Sequence, residues 1–174
     1  MLLWITVGQQ WLTIIYTMVK LVSLDTSTTC TGVAVYVDGE YASSKVLPAD
    51  KKLNKDERFN LMAKQIIAEL DAQSPDIVVI EDDVVKGSMS VVTLLSKLIG
   101  VVRGYCVAKD IFYYELPPSS WRKPLGIQKA KAKREELKQL ALDFVHNNIS
   151  EDEMISDDQS DAICIGYAYI KIYS

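Results

Sequence analysis

The sequence has few of the residues that build zinc sites and disulfide frameworks. Its 174 residues include one histidine, His146, and three cysteines. Cys30, Cys106 and Cys164 are odd in number, lie far apart and never form a Cys-x-x-Cys pair. This pattern excludes a disulfide-stapled secreted domain and favours reduced core cysteines in a cytoplasmic protein. We interpret His146 as a helix-end residue rather than a base or a ligand.

Charged side chains are missing from residues 1–19. A secretory signal would need an early basic region and a small-residue cleavage site, and neither is present. A membrane anchor is possible by length, but the Gly-Gln-Gln of residues 8–10 interrupts the apolar run. Met18 looks like a natural start just before the first strand. We therefore predict that residues 1–17 are an upstream extension, that residues 18–174 form the domain, and that no membrane is involved.

Lysine and arginine are missing between Asp143 and Asp161, a segment that holds seven acidic residues. The segment from Trp121 to Lys138 has the opposite character, with seven basic residues and two acidic ones. The net charge of -4 therefore does not exclude nucleic acid. A chain polarised in this way can attract phosphate with one surface and a metal ion with another.

Apolar runs, turn signals and helical spacing predict the element order βββαβαβαα. The turn signal Asp38-Gly39 predicts a hairpin between the second and third strands. The later strands follow helices, which can serve as parallel crossovers. We predict an α/β fold with a mixed sheet, three antiparallel strands extended by two parallel strands, and helices on both faces. The predicted strands are Lys20–Leu24, Gly32–Val37, Glu40–Leu47, Ile77–Glu81 and Ile111–Glu115, and the predicted helices are Lys55–Ala72, Ser88–Lys109, Lys129–His146 and Asp158–Ile172.

Four carboxylates lie at three points of this order. Asp25 and Glu81 each follow an apolar strand, and Asp158 and Asp161 share one face of the last helix. If the two strands are parallel neighbours, these residues meet at the sheet edge where ligands bind, with strands about 5 Å apart. Each point also has a simpler interpretation, as an Asx-turn, a solvated strand end or a helix cap. A shared metal site accounts for all three together.

Basic residues follow the turn at Pro117–Trp121, at the same end of the predicted sheet. Arg122, Lys123, Lys131 and Lys133 could hold a phosphate backbone against the carboxylates. A solvated helix face is the alternative interpretation of this segment.

Three motifs together resemble the RuvC family of Holliday-junction resolvases, and most closely its compact phage-encoded branch. They are Leu-Val-Ser-Leu-Asp-Thr-Ser-Thr-Thr-Cys-Thr-Gly (21–32), Ile-Val-Val-Ile-Glu (77–81) and Asp-Gln-Ser-Asp-Ala (158–162). The stretches 98–102 and 118–126 resemble the second helix and basic loop of the family. The chain departs from the family at Val84, where an aromatic residue usually stacks on a junction base.

The resemblance implies a ribonuclease-H-like fold and a metal-dependent, structure-selective endodeoxyribonuclease that nicks Holliday junctions or related branched DNA. Asp25, Glu81, Asp158 and Asp161 would be the catalytic residues and would bind two Mg²⁺ ions, for which Mn²⁺ could substitute. Arg122, Lys131 and Lys133 are candidates for the basic residue near the scissile phosphate, and Lys123 for a further DNA contact. The resemblance also implies a homodimer in the bacterial cytoplasm, or in the host cytoplasm if the protein is phage-encoded.

A second function from another class remains open. The Asp-Thr-Ser-Thr motif that begins at Asp25 also occurs in actin-like ATPases, in sugar kinases and in TsaB-type scaffold proteins. Such a protein would bind a nucleotide or serve as a scaffold partner. A non-catalytic DNA-binding relative is a third possibility. Metal-dependent nicking of a synthetic junction would distinguish the endonuclease hypothesis from the other two.

Overall fold

The computed structural model describes residues 2–7, 10–15, 18–82, 89–152 and 154–173. These residues form seven strands and five helices. The strands are β1 (Leu2–Val7), β2 (Gln10–Ile15), β3 (Lys20–Asp25), β4 (Cys30–Val37), β5 (Glu40–Pro48), β6 (Ile77–Glu81) and β7 (Phe112–Leu116). The helices are α1 (Lys55–Gln73), α2 (Met89–Ala108), α3 (Pro118–Arg122), α4 (Arg134–Asn148) and α5 (Asp157–Tyr173).

The main sheet has five strands in the order β5-β4-β3-β6-β7. Strands β3, β4 and β5 are antiparallel, whereas β6 and β7 extend the sheet in parallel. Asp38 and Gly39, with φ angles of 53° and 85°, make the turn between β4 and β5. Positive φ at both central residues matches the twist of antiparallel strands. The predicted mixed sheet is confirmed.

Helices cover both faces of this sheet, because the central strands bury side chains on both sides. Along β3, Val22 and Leu24 pack into a cluster with residues of α1 and α2. Leu21 instead packs with residues of α4 and α5 on the other face. The alternation follows from the period of two along a strand. Two cores therefore hold the central strand β3 in a fixed position.

Most predicted element bounds agree with the structure to within two residues, but the basic segment differs. Helix α4 begins at Arg134 rather than Lys129, so Lys131 and Lys133 lie in the preceding connection. Lys131 has a φ of 60°, a left-handed conformation that a helix does not accept. The predicted turn at residues 117–121 contains the short helix α3, which starts at Pro118, a favoured first helical residue.

Strands β1 and β2 pair antiparallel in a separate two-stranded sheet, a feature that we did not predict. The assignment of residues 1–17 to an extension outside the domain stays a prediction. Among the described helices, none is long and apolar enough to cross a membrane.

Candidate active site

Asp25 and Glu81 lie side by side at the carboxyl ends of the neighbouring strands β3 and β6. We call this end of the main sheet the carboxylate edge. Strands β3 and β6 run parallel, and Leu24 pairs with Ile80. The next residue of each strand is therefore one of the two carboxylates, as predicted. Glu81 is buried and Asp25 is half-buried. The edge thus concentrates negative charge in a poorly hydrated place.

Helix α5 brings Asp158 to this edge, and Gly32 permits its close approach. Gly32 in β4 is the register partner of Asp25. A Cβ atom at Gly32 would lie 1.9 Å from the Asp158 carbonyl oxygen, a distance that no real side chain tolerates. The missing side chain therefore lets the first turn of α5 rest directly on the strand beside Asp25.

Further contacts fix α5 along the sheet. Ser23 Oγ donates to the Ala162 carbonyl oxygen at 2.8 Å, and Tyr36 OH donates to the Ile163 carbonyl oxygen at 2.6 Å. A Cβ atom at Gly166 would lie 2.4 Å from the Tyr36 ring. Both hydrogen bonds are buried, where losing a partner costs about 1–3 kcal/mol. The position of Asp161, next to Ala162, is therefore set by the core.

The carboxylates interact electrostatically as one group. The pKa of Asp25 is raised well above its usual value, first by burial and then by the charges of Asp161, Glu81 and Asp158. Burial also raises the pKa of Asp161 to about 6, although Arg122 and Lys138 act in the opposite direction. The structure thus brings together all four predicted acidic residues, on two strands and one helix.

Glu81 has two partners on α3. Trp121 Nε1 donates to Glu81 Oε1 at 2.8 Å, and Arg122 Nη2 lies 3.5 Å from the same oxygen. The Arg122 guanidinium stacks over the Trp121 ring at 4.2 Å. Sequence reasoning did not identify Trp121 as a site residue. Its position in the Pro-Ser-Ser-Trp-Arg segment at the same sheet end was the available signal.

Asp158 has partners that the sequence analysis did not single out. Lys138 Nζ lies 3.1 Å from Asp158 Oδ1 and 2.6 Å from Asp157 Oδ2. Burial acts to lower the pKa of Lys138, but the two aspartates outweigh it and raise the pKa. Burial and a hydrogen bond with Asp158 raise the pKa of the Cys30 thiol to about 12. Cys30 is therefore a neutral neighbour of the carboxylates.

The four predicted DNA-binding residues have different surroundings. Arg122 turns inward to Glu81 and is only 19% exposed. Lys123, Lys131 and Lys133 are exposed, and Lys133 is the residue just before α4. Their contact with DNA stays a prediction. Val84, where the aromatic of the family is missing, lies outside the described residues.

The described residues contain no cluster of three His, Cys, Asp or Glu side chains that is already close enough to hold a metal ion. Glu81 lies beside Arg122, and Asp158 lies beside Lys138, so two of the four carboxylates are in ion pairs. The donor set nevertheless fits a hard cation, since all four side chains offer carboxylate oxygens. Asp161 Oδ1 is buried and has no hydrogen-bond partner in the described part of the chain. A cation would satisfy that atom.

Solved structures share this fold. Thermus thermophilus RuvC in complex with a Holliday junction substrate matches with a TM-score of 0.67 and 14% identity, over 88% of this chain and 96% of that chain. A second T. thermophilus RuvC structure matches with a TM-score of 0.65 and 16% identity, over 88% of this chain and 96% of that chain. The yeast mitochondrial Holliday junction resolvase Ydc2 matches with a TM-score of 0.60 and 14% identity, over 91% of this chain and 80% of that chain. The chain therefore has the ribonuclease-H-like fold of the RuvC-type proteins, as predicted.

A family model identifies the chain more specifically. Residues 18–171 match the family described as Lactococcus phage M3 protein. The chain belongs to this family. Comparison with curated protein sequences gives no significant match.

Proposed function

We propose that this protein is a metal-dependent, structure-selective endonuclease that nicks Holliday junctions or related branched DNA. The observation that supports this most directly is the convergence of Asp25, Glu81, Asp158 and Asp161 at one sheet edge. Burial and the charges of neighbouring carboxylates raise the pKa values of Asp25 and Asp161, which supports this proposal. Such an arrangement suits a bound cation better than an ion-free state.

The four carboxylates would hold two Mg²⁺ ions, or Mn²⁺ in their place. When bound, such a pair activates an attacking water and stabilises the leaving oxygen of a phosphodiester. Trp121 would orient Glu81 through its hydrogen bond. Arg122 and Lys138 would offset the negative charge and let a DNA phosphate approach. Lys123, Lys131 and Lys133 would hold the backbone nearby.

The proposed substrate is branched DNA, and the proposed assembly is a homodimer. The solved T. thermophilus RuvC is bound to a Holliday junction substrate. A four-way junction presents two equivalent strands to cut, which matches the two-fold symmetry of a dimer. Each protomer would then supply one carboxylate site.

Incubation with a synthetic four-way junction and Mg²⁺ tests the proposal, with linear duplex and flap DNA as controls. We expect Mg²⁺-dependent nicks near the branch point of the junction and little cutting of the linear duplex. ATP binding without cleavage of any DNA would instead support a nucleotide-binding protein of the same superfold. The carboxylates of α5 favour the nuclease, because a scaffold partner has no need of them.

A further inference from the structure

A cluster of positively charged side chains lies beside the loop that follows Asp25. It lines a cavity of about 230 Å³. The cavity has three cationic side chains, two hydroxyl side chains and two leucines, and none of the lining residues that the structure describes is acidic. The lining residues are Ser27, Thr28, Lys55, Arg58, Leu94, Leu95 and Arg134.

The cations come from the starts of two helices. Lys55 is the first residue of α1, Arg58 lies one turn further, and Arg134 is the first residue of α4. A helix start carries partial positive charge, which adds to that of the side chains. Cationic side chains that line one cavity attract an anion to it.

The cavity is built from constrained groups. Arg58 Nη1 donates to the Leu53 and Lys51 carbonyl oxygens at 2.9 and 3.3 Å, which fixes the guanidinium. Arg58 Nε is buried and lacks a hydrogen-bond partner within the described ranges. In the facing loop, the Ser27 backbone N–H donates to Thr31 Oγ1 at 3.1 Å, and Thr31 Oγ1 donates back to the Ser27 carbonyl at 2.9 Å. Arg58 and the Ser27 loop are therefore held in place by contacts within the protein.

We propose that this cavity binds a backbone phosphate of the DNA strand that enters the carboxylate site, an inference that rests on the proposed endonuclease function. Thr28 follows Asp25 by three residues, so their Cα atoms lie at most about 11 Å apart. One strand of B-form DNA carries a phosphate per 3.4 Å of axis, so a phosphate in the cavity would lie at most about three positions from the cleavage site. Arg134 directly follows Lys133, so the basic segment that precedes α4 continues to a residue that lines the cavity.

The double variant Lys55→Gln/Arg134→Gln tests the inference. Arg58 is left intact because it holds the turn at residues 51–53. Binding of a labelled four-way junction is measured by fluorescence anisotropy across NaCl concentrations without divalent ions. We expect affinity to fall about tenfold and the salt slope to lose about one unit, as for one lost phosphate contact. Lys64→Gln, exposed on α1 and outside the cavity, is the matched control and should behave as wild type.

Junctions with a single neutral methylphosphonate locate the contact. For the wild type, one position within about three phosphates of the cut should weaken binding, and the double variant should be insensitive to that same position. Circular dichroism checks folding, and Arg134→Gln alone replaces the double variant if folding is impaired. Arg134→Gln should then weaken binding and lose sensitivity at the same position.

The outcomes separate the two proposals. If the wild type cleaves the junction but the cavity variants retain its affinity, salt slope and methylphosphonate profile, the cavity inference is wrong and the endonuclease stands. If inorganic phosphate or ATP binds the cavity and no DNA binds, both proposals fail.

Discussion

Trp121 Nε1 donates a hydrogen bond to Glu81 Oε1 at 2.8 Å, and both side chains are buried. The bond joins the carboxyl end of β6 to the short helix α3. Because Glu81 accepts from a buried indole, the hydrogen bond restrains its carboxylate. Arg122, the next residue after Trp121, reaches the same oxygen. Helix α3 therefore acts as a support for the carboxylate edge.

Trp121→Phe should reduce cleavage while leaving junction affinity nearly unchanged. Phenylalanine fills most of the space of the indole but removes the donor to Glu81. A lost hydrogen bond to a charged group costs about 1.5–3 kcal/mol, and we expect a loss of stability of that order. Single-turnover cleavage and urea unfolding measure the two effects. Trp11→Phe, outside the main sheet, is the chemical control, and equal cleavage by both variants would contradict the supporting role.

Gly32→Ala should displace α5 and disable the site. The new methyl group would lie 1.9 Å from the Asp158 carbonyl oxygen, so the helix must move away from Asp25. Forced overpacking costs about 1–3 kcal/mol or more. Gly100→Ala in α2 meets no atom within 4 Å and is the matched control. It should stabilise the protein by up to about 1 kcal/mol. Thermal unfolding and cleavage are measured on both variants, and wild-type cleavage by Gly32→Ala would refute the packing argument.

Asp161→Asn should stabilise the ion-free protein, increasingly so toward neutral pH. The pKa of Asp161 in the folded protein is about 6, above the usual aspartate value of 3.8. The folded state binds the proton of Asp161 more tightly than the unfolded state does. This favours folding at low pH, and the contribution is lost as the pH rises from about 4 to about 6. The difference corresponds to at most about 3 kcal/mol.

Urea unfolding in EDTA between pH 4 and pH 8 tests this expectation. The advantage of Asp161→Asn should be small at pH 4 and greatest above pH 6. A constant difference across this range would show that Asp161 does not titrate as described. Ser160→Ala, at the buried neighbouring position, controls for general changes at the start of α5.

Lys138→Gln should strengthen Mg²⁺ binding while weakening the ion-free fold. Lys138 pairs with Asp157 and Asp158, so its removal leaves the carboxylate edge more negative. An opposite charge lost beside a carboxylate favours binding of another cation. Calorimetric titration with Mg²⁺ measures the affinity, and Lys64→Gln is the control. Weaker Mg²⁺ binding by Lys138→Gln would mean that the lysine helps to build the ion site.

Lys131→Ala/Lys133→Ala should weaken junction binding at every sequence tested. Each phosphate contact contributes about one unit to the salt slope, so the double variant should lose up to about two. Both side chains are exposed, so folding should be unaffected. An unchanged slope in a salt titration would exclude both lysines from the DNA interface.

The sequence was sufficient to predict the sheet and the meeting of Asp25 with Glu81. Both follow from local signals, namely Asp38-Gly39, two apolar strands and the crossover between them. Asp158 and Asp161 were predictable from their spacing on a helix. These features depend on periodicity and turn chemistry, which nearby residues determine.

The partners of the carboxylates were not predictable in the same way. Helix α3 has five residues, too few to show helical periodicity, so only the place of Trp121 at the same end of the sheet indicated its contact with Glu81. The pairing of Lys138 with Asp158 depends on how α4 packs against α5. Lys131 has a positive φ, a left-handed backbone conformation that a lysine in a sequence does not indicate. Tertiary packing decides the contacts of Trp121 and Lys138.

Asp25→Asn tests the central claim most directly, since it replaces one carboxyl oxygen with an amide nitrogen and keeps the shape of the side chain. Binding and Mg²⁺-dependent nicking of one labelled four-way junction are measured in parallel for the variant and the wild type. We expect the variant to bind the junction as tightly as the wild type and to lose cleavage by at least about a hundredfold, the scale at which loss of a charge-stabilising group acts. Cleavage by Asp25→Asn at the wild-type rate would contradict the assignment of the four carboxylates as the active site.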